Sequence, residues 1–229
     1  LGGSIRGWAA RGAAAFVLIA ASQAPSPEAL YHEGSLSAAA EGFARRAAEE
    51  PAVAAHWYNL GATYYRQGME GRAAAAWTQA RRLAPRSSEV RRALRLTPAP
   101  DAVSARWTWG PPVTPEELLL LGALGWIGGW LGWALRPRLR ERWVVLLAFG
   151  GVALWAGLGL RVWYGRPLAI VLDRTAARVS PHGLAPPVVP LEPGSALRVL
   201  GHAPGWLFVE APDAQEGWVA DAAVASVGG

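Results

Sequence analysis

The sequence predicts a multidomain membrane protein: an α-helical repeat pair, a two-helix transmembrane hairpin and a small all-β barrel. Three observations predict it. Residues between Leu30 and Leu96 are Ala-rich and helical in period, two later stretches of 18 residues carry no charge, and the chain beyond Ala169 changes to period two. Composition agrees, since 52% of the 229 residues are hydrophobic and only 17% charged, while 27 Gly and 18 Pro imply breaks between modules.

Residues 1–24 read as a signal peptide or N-terminal anchor. Arg6 and Arg11 precede an apolar stretch from Gly12 to Ala21, followed by Ser22, Gln23 and Ala24. Such a segment directs the chain after it out of the cytoplasm.

Residues 28–96 read as a repeat domain. The stretch HWYNLGATYYRQGMEGRAAAAWTQARRLAP, His56 to Pro85, puts Trp57, Leu60, Gly61, Tyr64, Gly68, Ala73, Trp77, Ala80 and Pro85 where a tetratricopeptide (TPR) repeat has them. Gly61 and Ala73 let two antiparallel helices approach, Tyr64 and Trp77 fill the space between them, Gly68 turns the chain and Pro85 stops the second helix. Stepping 34 residues from Pro85 to Pro51 brings Gly34, Ala39 and Phe43 into phase with Gly68, Ala73 and Trp77, a degenerate first repeat with Arg46 in a small-residue position. Ser87-Ser88-Glu89 looks like the start of a short capping helix. The outward face of the better repeat carries Tyr58, Asn59, Ala62, Tyr65 and Arg66, the candidate protein-binding groove. Asn59 and Arg66 resemble positions that hold a partner's C-terminal carboxylate in some TPR proteins, although a broader protein-contacting face is the stronger reading.

A Pro-rich linker, 97–117, leads to the spans 118–135 and 143–160, each close to the ~30 Å hydrocarbon core once flanking residues are counted. The connection 136–142, RPRLRER, holds four Arg and by the positive-inside rule stays in the cytoplasm, leaving both flanking domains outside. Trp107, Trp109, Trp163 and Tyr164 at one end and Trp133 and Trp143 at the other match interfacial aromatic belts. Gly125 with Gly129, Gly128 with Gly132 and Ala153 with Gly157 are small-xxx-small spacings, read as packing the hairpin's own helices ahead of a dimer face. Neither span carries an ionisable residue, which argues against a transporter.

Residues 169–227 show AIVL, ALRVL, WLFVE and GWVA between Pro, Gly and Asp turns, a small barrel of five or so strands. The order of these segments and the closing Gly217-Trp218-Val219 resemble the bacterial SH3-like (SH3b) domain. Its first loop departs from that pattern, being Pro-heavy from Pro186 to Pro193. Trp206 and Trp218 read first as core packing and second as a ligand-stacking pair.

Several function classes recede. With no Cys there is no disulfide, thiolate zinc site or cysteine nucleophile, and His182 and His202 have no partner at ligand spacing, so neither metal nor cofactor is expected. No His-Glu-x-x-His, G-x-S-x-G or phosphate-binding loop occurs, and Glu49-Glu50 and Glu116-Glu117 do not converge as an acid and base. The net charge of +5 is concentrated near RPRLRER, between apolar runs, which speaks against nucleic acid.

Taken together, HWYNLGATYYRQG, the RPRLRER connection, AIVLDRTAARVSP and the closing GWV resemble the BatE family of the Bat aerotolerance operon, over nearly the whole chain. That resemblance implies a non-catalytic scaffold of the bacterial inner membrane, with TPR and SH3b domains on the extracytoplasmic side. It also implies partners among von Willebrand factor A (VWA) membrane proteins and a MoxR-type ATPase system. The alternative is a peptidoglycan-binding protein that uses its SH3b domain.

Overall fold

The computed structural model describes residues 25–97, 107–108 and 111–227. The signal-like segment 1–24, Trp109 and much of the expected linker lie outside the described residues. Five short helices come first: α1 (Pro27–Glu33), α2 (Leu36–Glu49), α3 (Ala54–Arg66), α4 (Glu70–Leu83) and α5 (Ser88–Leu94). Ser26 and Ser87 cap α1 and α5 by accepting the N–H groups of Ala29 and Val90.

The 34-residue period is present in the backbone as well as in the sequence. Leu36 and Glu70 open α2 and α4, Glu49 and Leu83 close them, and α5 opens 34 residues after α3. The preceding turns use Gly34 and Gly68 at φ 86° and 76°, a left-handed backbone that favours glycine. Buried positions repeat in the same phase: Ala39 with Ala73, and Phe43 with Trp77. A Cβ on Gly61 would lie 2.5 Å from the Trp77 indole, so the α3–α4 approach requires glycine there.

Two long helices follow, α6 (Pro115–Leu135) and α7 (Arg140–Tyr164). Thr114 and Glu117 form a reciprocal capping box at the start of α6. The expected seven-residue connection is shorter: Pro137–Leu139 forms a 3-10 turn and Arg140 already belongs to α7. Trp143 closes the turn by donating its indole N–H to the Arg136 carbonyl at 3.1 Å. Both helices are long and apolar enough to cross a membrane, and only 22% and 17% of their most apolar windows is buried. That exposure separates them from the core helices of a soluble domain. Leu120, Leu124, Ile127, Leu131, Val145, Val152, Trp155 and Val162 form an open apolar belt.

The small residues pack the hairpin internally. Gly122, Gly125, Gly129 and Gly132 are buried on α6 and Gly150, Ala153 and Gly157 on α7. A Cβ on Gly125 would stand 3.1 Å from the Gly150 Cα, and one on Gly150 would stand 2.6 Å from the Trp126 nitrogen. Gly128, expected to pair with Gly132, is off this seam: its Cβ would meet only Leu146, at 3.7 Å.

The C-terminal part is a seven-stranded antiparallel sheet rather than five or so strands: β1 (Leu168–Val171), β2 (Thr175–Arg178), β3 (Pro187–Leu191), β4 (Ala196–Ala203), β5 (Trp206–Glu210), β6 (Glu216–Ala220) and β7 (Val224–Val227). The order is β3-β2-β6-β5-β4-β1-β7. The Pro-heavy stretch contains edge strand β3, where a residue without an N–H costs least. Leu191 of one edge strand and Val224 of the other join the same core as Val171, Leu197, Val209 and Val219, so the sheet curls around a single interior.

Helix α4 joins the parts. Its Ala74 and Ala75 pack with Ile170, Ala196 and Val227 of the sheet. Arg82 Nη1 donates to the carbonyls of Tyr164, at the end of α7, and Val227, at 3.1 and 3.0 Å. Just beyond α4, Arg86 forms a two-pronged pair with Glu117 at the start of α6, both contacts at 2.9 Å.

Candidate functional site

The outward face of α3 forms one wall of a concave site of about 490 Å3. Tyr58, Ala62, Tyr65 and Arg66 line it, joined by Tyr31 from α1, Trp77 from α4, and Glu89 and Arg92 from α5. Helical spacing explains the α3 contribution, because residues three, four and seven apart share a face. Asn59 is the exception. It does not line the site, and its carbonyl accepts the Thr63 hydroxyl at 2.8 Å.

Arg66 is held in place before any ligand arrives. Its Nη1 donates to the Tyr31 carbonyl at 3.0 Å and its guanidinium carbon stands 4.5 Å from the centre of the Tyr31 ring. The Tyr65 ring is tilted over Trp77 with centres 5.6 Å apart, and the Trp77 N–H donates to the Tyr58 carbonyl at 3.1 Å. Trp77 is thus the floor, and the tyrosines are the walls. Arg92 donates to the Ser88 carbonyl and hydroxyl at 3.2 and 3.3 Å, which fixes it on the opposite rim. Two cations, one carboxylate and three phenols suit a peptide with polar main-chain groups and an acidic or aromatic side chain.

Two of the added lining residues, Tyr31 and Arg92, obey the repeat. Tyr31 and Tyr65 are 34 apart, as are Tyr58 and Arg92. Extending the phase one unit either side of α3 would have found both.

A second surface lies on the outer side of the sheet. Trp206 and Trp218 are half-buried and alternate with buried Leu207, Val209 and Val219, so they face away from the core. Their expected role as core packing is therefore corrected by strand parity. Phe208, opposite Trp218 in the β5–β6 register, joins them with ring centres 5.0 Å apart. The period-two pattern already placed Phe208 on the same face as Trp206.

No family model, curated protein or solved structure matches the chain.

Among the described residues no three His, Asp or Glu side chains gather as metal ligands. His182 serves its own turn, with Nδ1 accepting the Leu184 N–H at 3.2 Å, and His202 is exposed on β4.

Proposed function

We propose that this chain is a non-catalytic, membrane-anchored scaffold that captures a protein partner in a TPR-type groove while α6 and α7 hold it in the bilayer. The concave site lined by Tyr58, Ala62, Tyr65 and Arg66 carries the reading, because aromatic and Arg side chains dominate the energetic centres of protein interfaces. The 34-residue spacing of α2 and α4, with glycine turns in phase, supports the TPR assignment. The curled antiparallel sheet closing on Gly217-Trp218-Val219 supports an SH3b-like module. Both modules touch through α4, so they lie on one side of the bilayer, which on the RPRLRER reading is the extracytoplasmic side. The resemblance to BatE proteins names VWA-domain membrane proteins, working with a MoxR-type ATPase, as the partners to try first.

Replacing Tyr58, Tyr65 and Arg66 together by Ala should weaken capture of a VWA membrane protein from detergent extract by more than ~2 kcal/mol while leaving the fold intact. Undiminished capture, lost instead on deletion of residues 169–229, would move the binding role to the sheet domain.

A second reading has its own support. The half-exposed Trp206, Phe208 and Trp218 cluster offers a stacking surface of the kind that suits a cell-wall sugar or peptide, and peptidoglycan pelleting of a Trp218→Ala variant tests it.

A further inference from the structure

More basic charge gathers at the end of α7 than the fold neutralises. Arg81 and Arg82 are both half-buried near the end of α4. Among the described residues Arg82 is bound to the neutral carbonyls of Tyr164 and Val227 alone, and it lies beside the Tyr164 ring, 5.8 Å from its centre. Arg81 has no hydrogen bond or ion pair among the described residues, where the ion pair near the end of α4 goes instead from Arg86 to Glu117. Burial holds the Arg81 guanidinium below its ordinary value; Tyr164 acts in the opposite direction, and the neighbouring cation of Arg91 adds a smaller lowering. On α7, Arg161 stands one turn before Tyr164, and just beyond the helix Arg166 stacks over Trp163 at 4.5 Å. No carboxylate pairs with Arg81, Arg82, Arg91, Arg161 or Arg166 among the described residues.

Half-buried cations without an anion are costly, so a counter-charge from outside the chain is expected. Its chemistry follows from its position. The cluster caps an apolar helix whose Leu158 and Val162 are exposed, at the level of Trp163 and Tyr164, residue types that settle where hydrocarbon meets headgroups. A phosphodiester held there would place its acyl chains beside Leu158 and Val162.

We propose that Arg81 and Arg82, which α4 brings to Tyr164, together with Arg161 and Arg166 flanking Tyr164 in the chain, bind the headgroup of an anionic phospholipid at the end of α7. The site rests on the membrane reading of α6 and α7 and on nothing else in the proposed function. It does not depend on which face of the bilayer the helical domain occupies.

The test uses the full chain in uncharged detergent, with its melting midpoint followed as phosphatidylglycerol, phosphatidylcholine or inorganic phosphate is added. Phosphatidylglycerol should raise the midpoint and the other two should not. Arg81→Gln combined with Arg161→Gln should weaken the phosphatidylglycerol response about tenfold, and Lys at both positions should restore most of it. If the double Gln variant does not fold, Arg161→Gln alone carries the comparison, because that side chain is exposed. Equal responses to the two lipids, or an unchanged response in the folded Gln variant, would overturn the site. A response to inorganic phosphate as large as that to phosphatidylglycerol would assign it to a soluble anion instead. A chain that stays monodisperse without detergent would overturn the membrane reading and the lipid site together, whereas indifference to lipid charge in a chain that needs detergent removes only the site.

Discussion

Gly71 of α4 lies so close to the main-chain carbonyl of Leu172, just beyond β1, that no Cβ fits between them. Helix and sheet meet there backbone to backbone, and the buried Ala74 and Ala75 continue the same close approach along α4.

The first prediction concerns this joint. Gly71→Leu should undock the helical domain from the sheet while each keeps its own core, because the obstacle is main chain and cannot rotate away; overpacking of this kind costs ~1 to 3 kcal/mol. Spin labels at Glu33 and Asp213 should report a wider distance distribution than in the wild type. An unchanged distribution would mean that the two parts are held elsewhere.

Inside the helical domain, Gly61→Trp should abolish the folding transition of residues 25–97 followed by circular dichroism. The Cβ alone would stand 2.5 Å from the Trp77 indole, and that ring is nearly fully buried and cannot swing out. A melting curve like that of the wild type would refute the α3–α4 packing.

Glu28 gives a pH signature. Partial burial opposes its ionisation, but its own backbone N–H and hydrogen bonds from Arg46 and Ser26 outweigh that and hold its carboxyl below the ordinary value. A depressed carboxylate pKa stabilises the fold above the unfolded-state value and ceases to do so as pH falls through the folded-state value. Glu28→Gln should therefore lower stability at neutral pH, by less than ~1 kcal/mol because the pair is well solvated, and the difference should shrink as pH falls through the ordinary carboxylate range and vanish below the lowered folded-state value. A difference that persisted in acid would assign the effect to packing.

Sidedness is tested by reporters active only outside the cytoplasm. Fusions after Gly229 or within residues 97–115 should be active, and an insertion at Pro137 should be silent. The reverse pattern would put both folded parts in the cytoplasm.

Much of the helical part was legible in the sequence because a repeat is read twice. Gly34 with Gly68, and Phe43 with Trp77, each announce a turn or a core position that the other repeats. The hairpin was equally legible, since 18 uncharged residues leave few alternatives. What escaped is what depends on partners distant in the chain. Edge strand β3 carries two prolines and little alternation, so only its pairing with β2 identifies it. The outward facing of Trp206 and Trp218 follows from strand parity, which a preference for burying tryptophan overrode. Gly122 and Gly150 are not marked by the spacing within one helix, because the close seam runs between two. The groove wall from α5 is hidden in the sequence because so short a helix after the last repeat has the pattern of a cap.

Both ends of the hairpin are fastened to one element. Arg86, just past α4, grips the start of α6 through Glu117, and Arg82 within α4 grips the end of α7 through Tyr164. Any pull delivered to the helical domain therefore divides between the two spans, and the glycine seam that locks them together resists their being drawn apart. A displacement of α4 is therefore shared by both spans, so the helical domain and the hairpin shift together rather than one helix at a time.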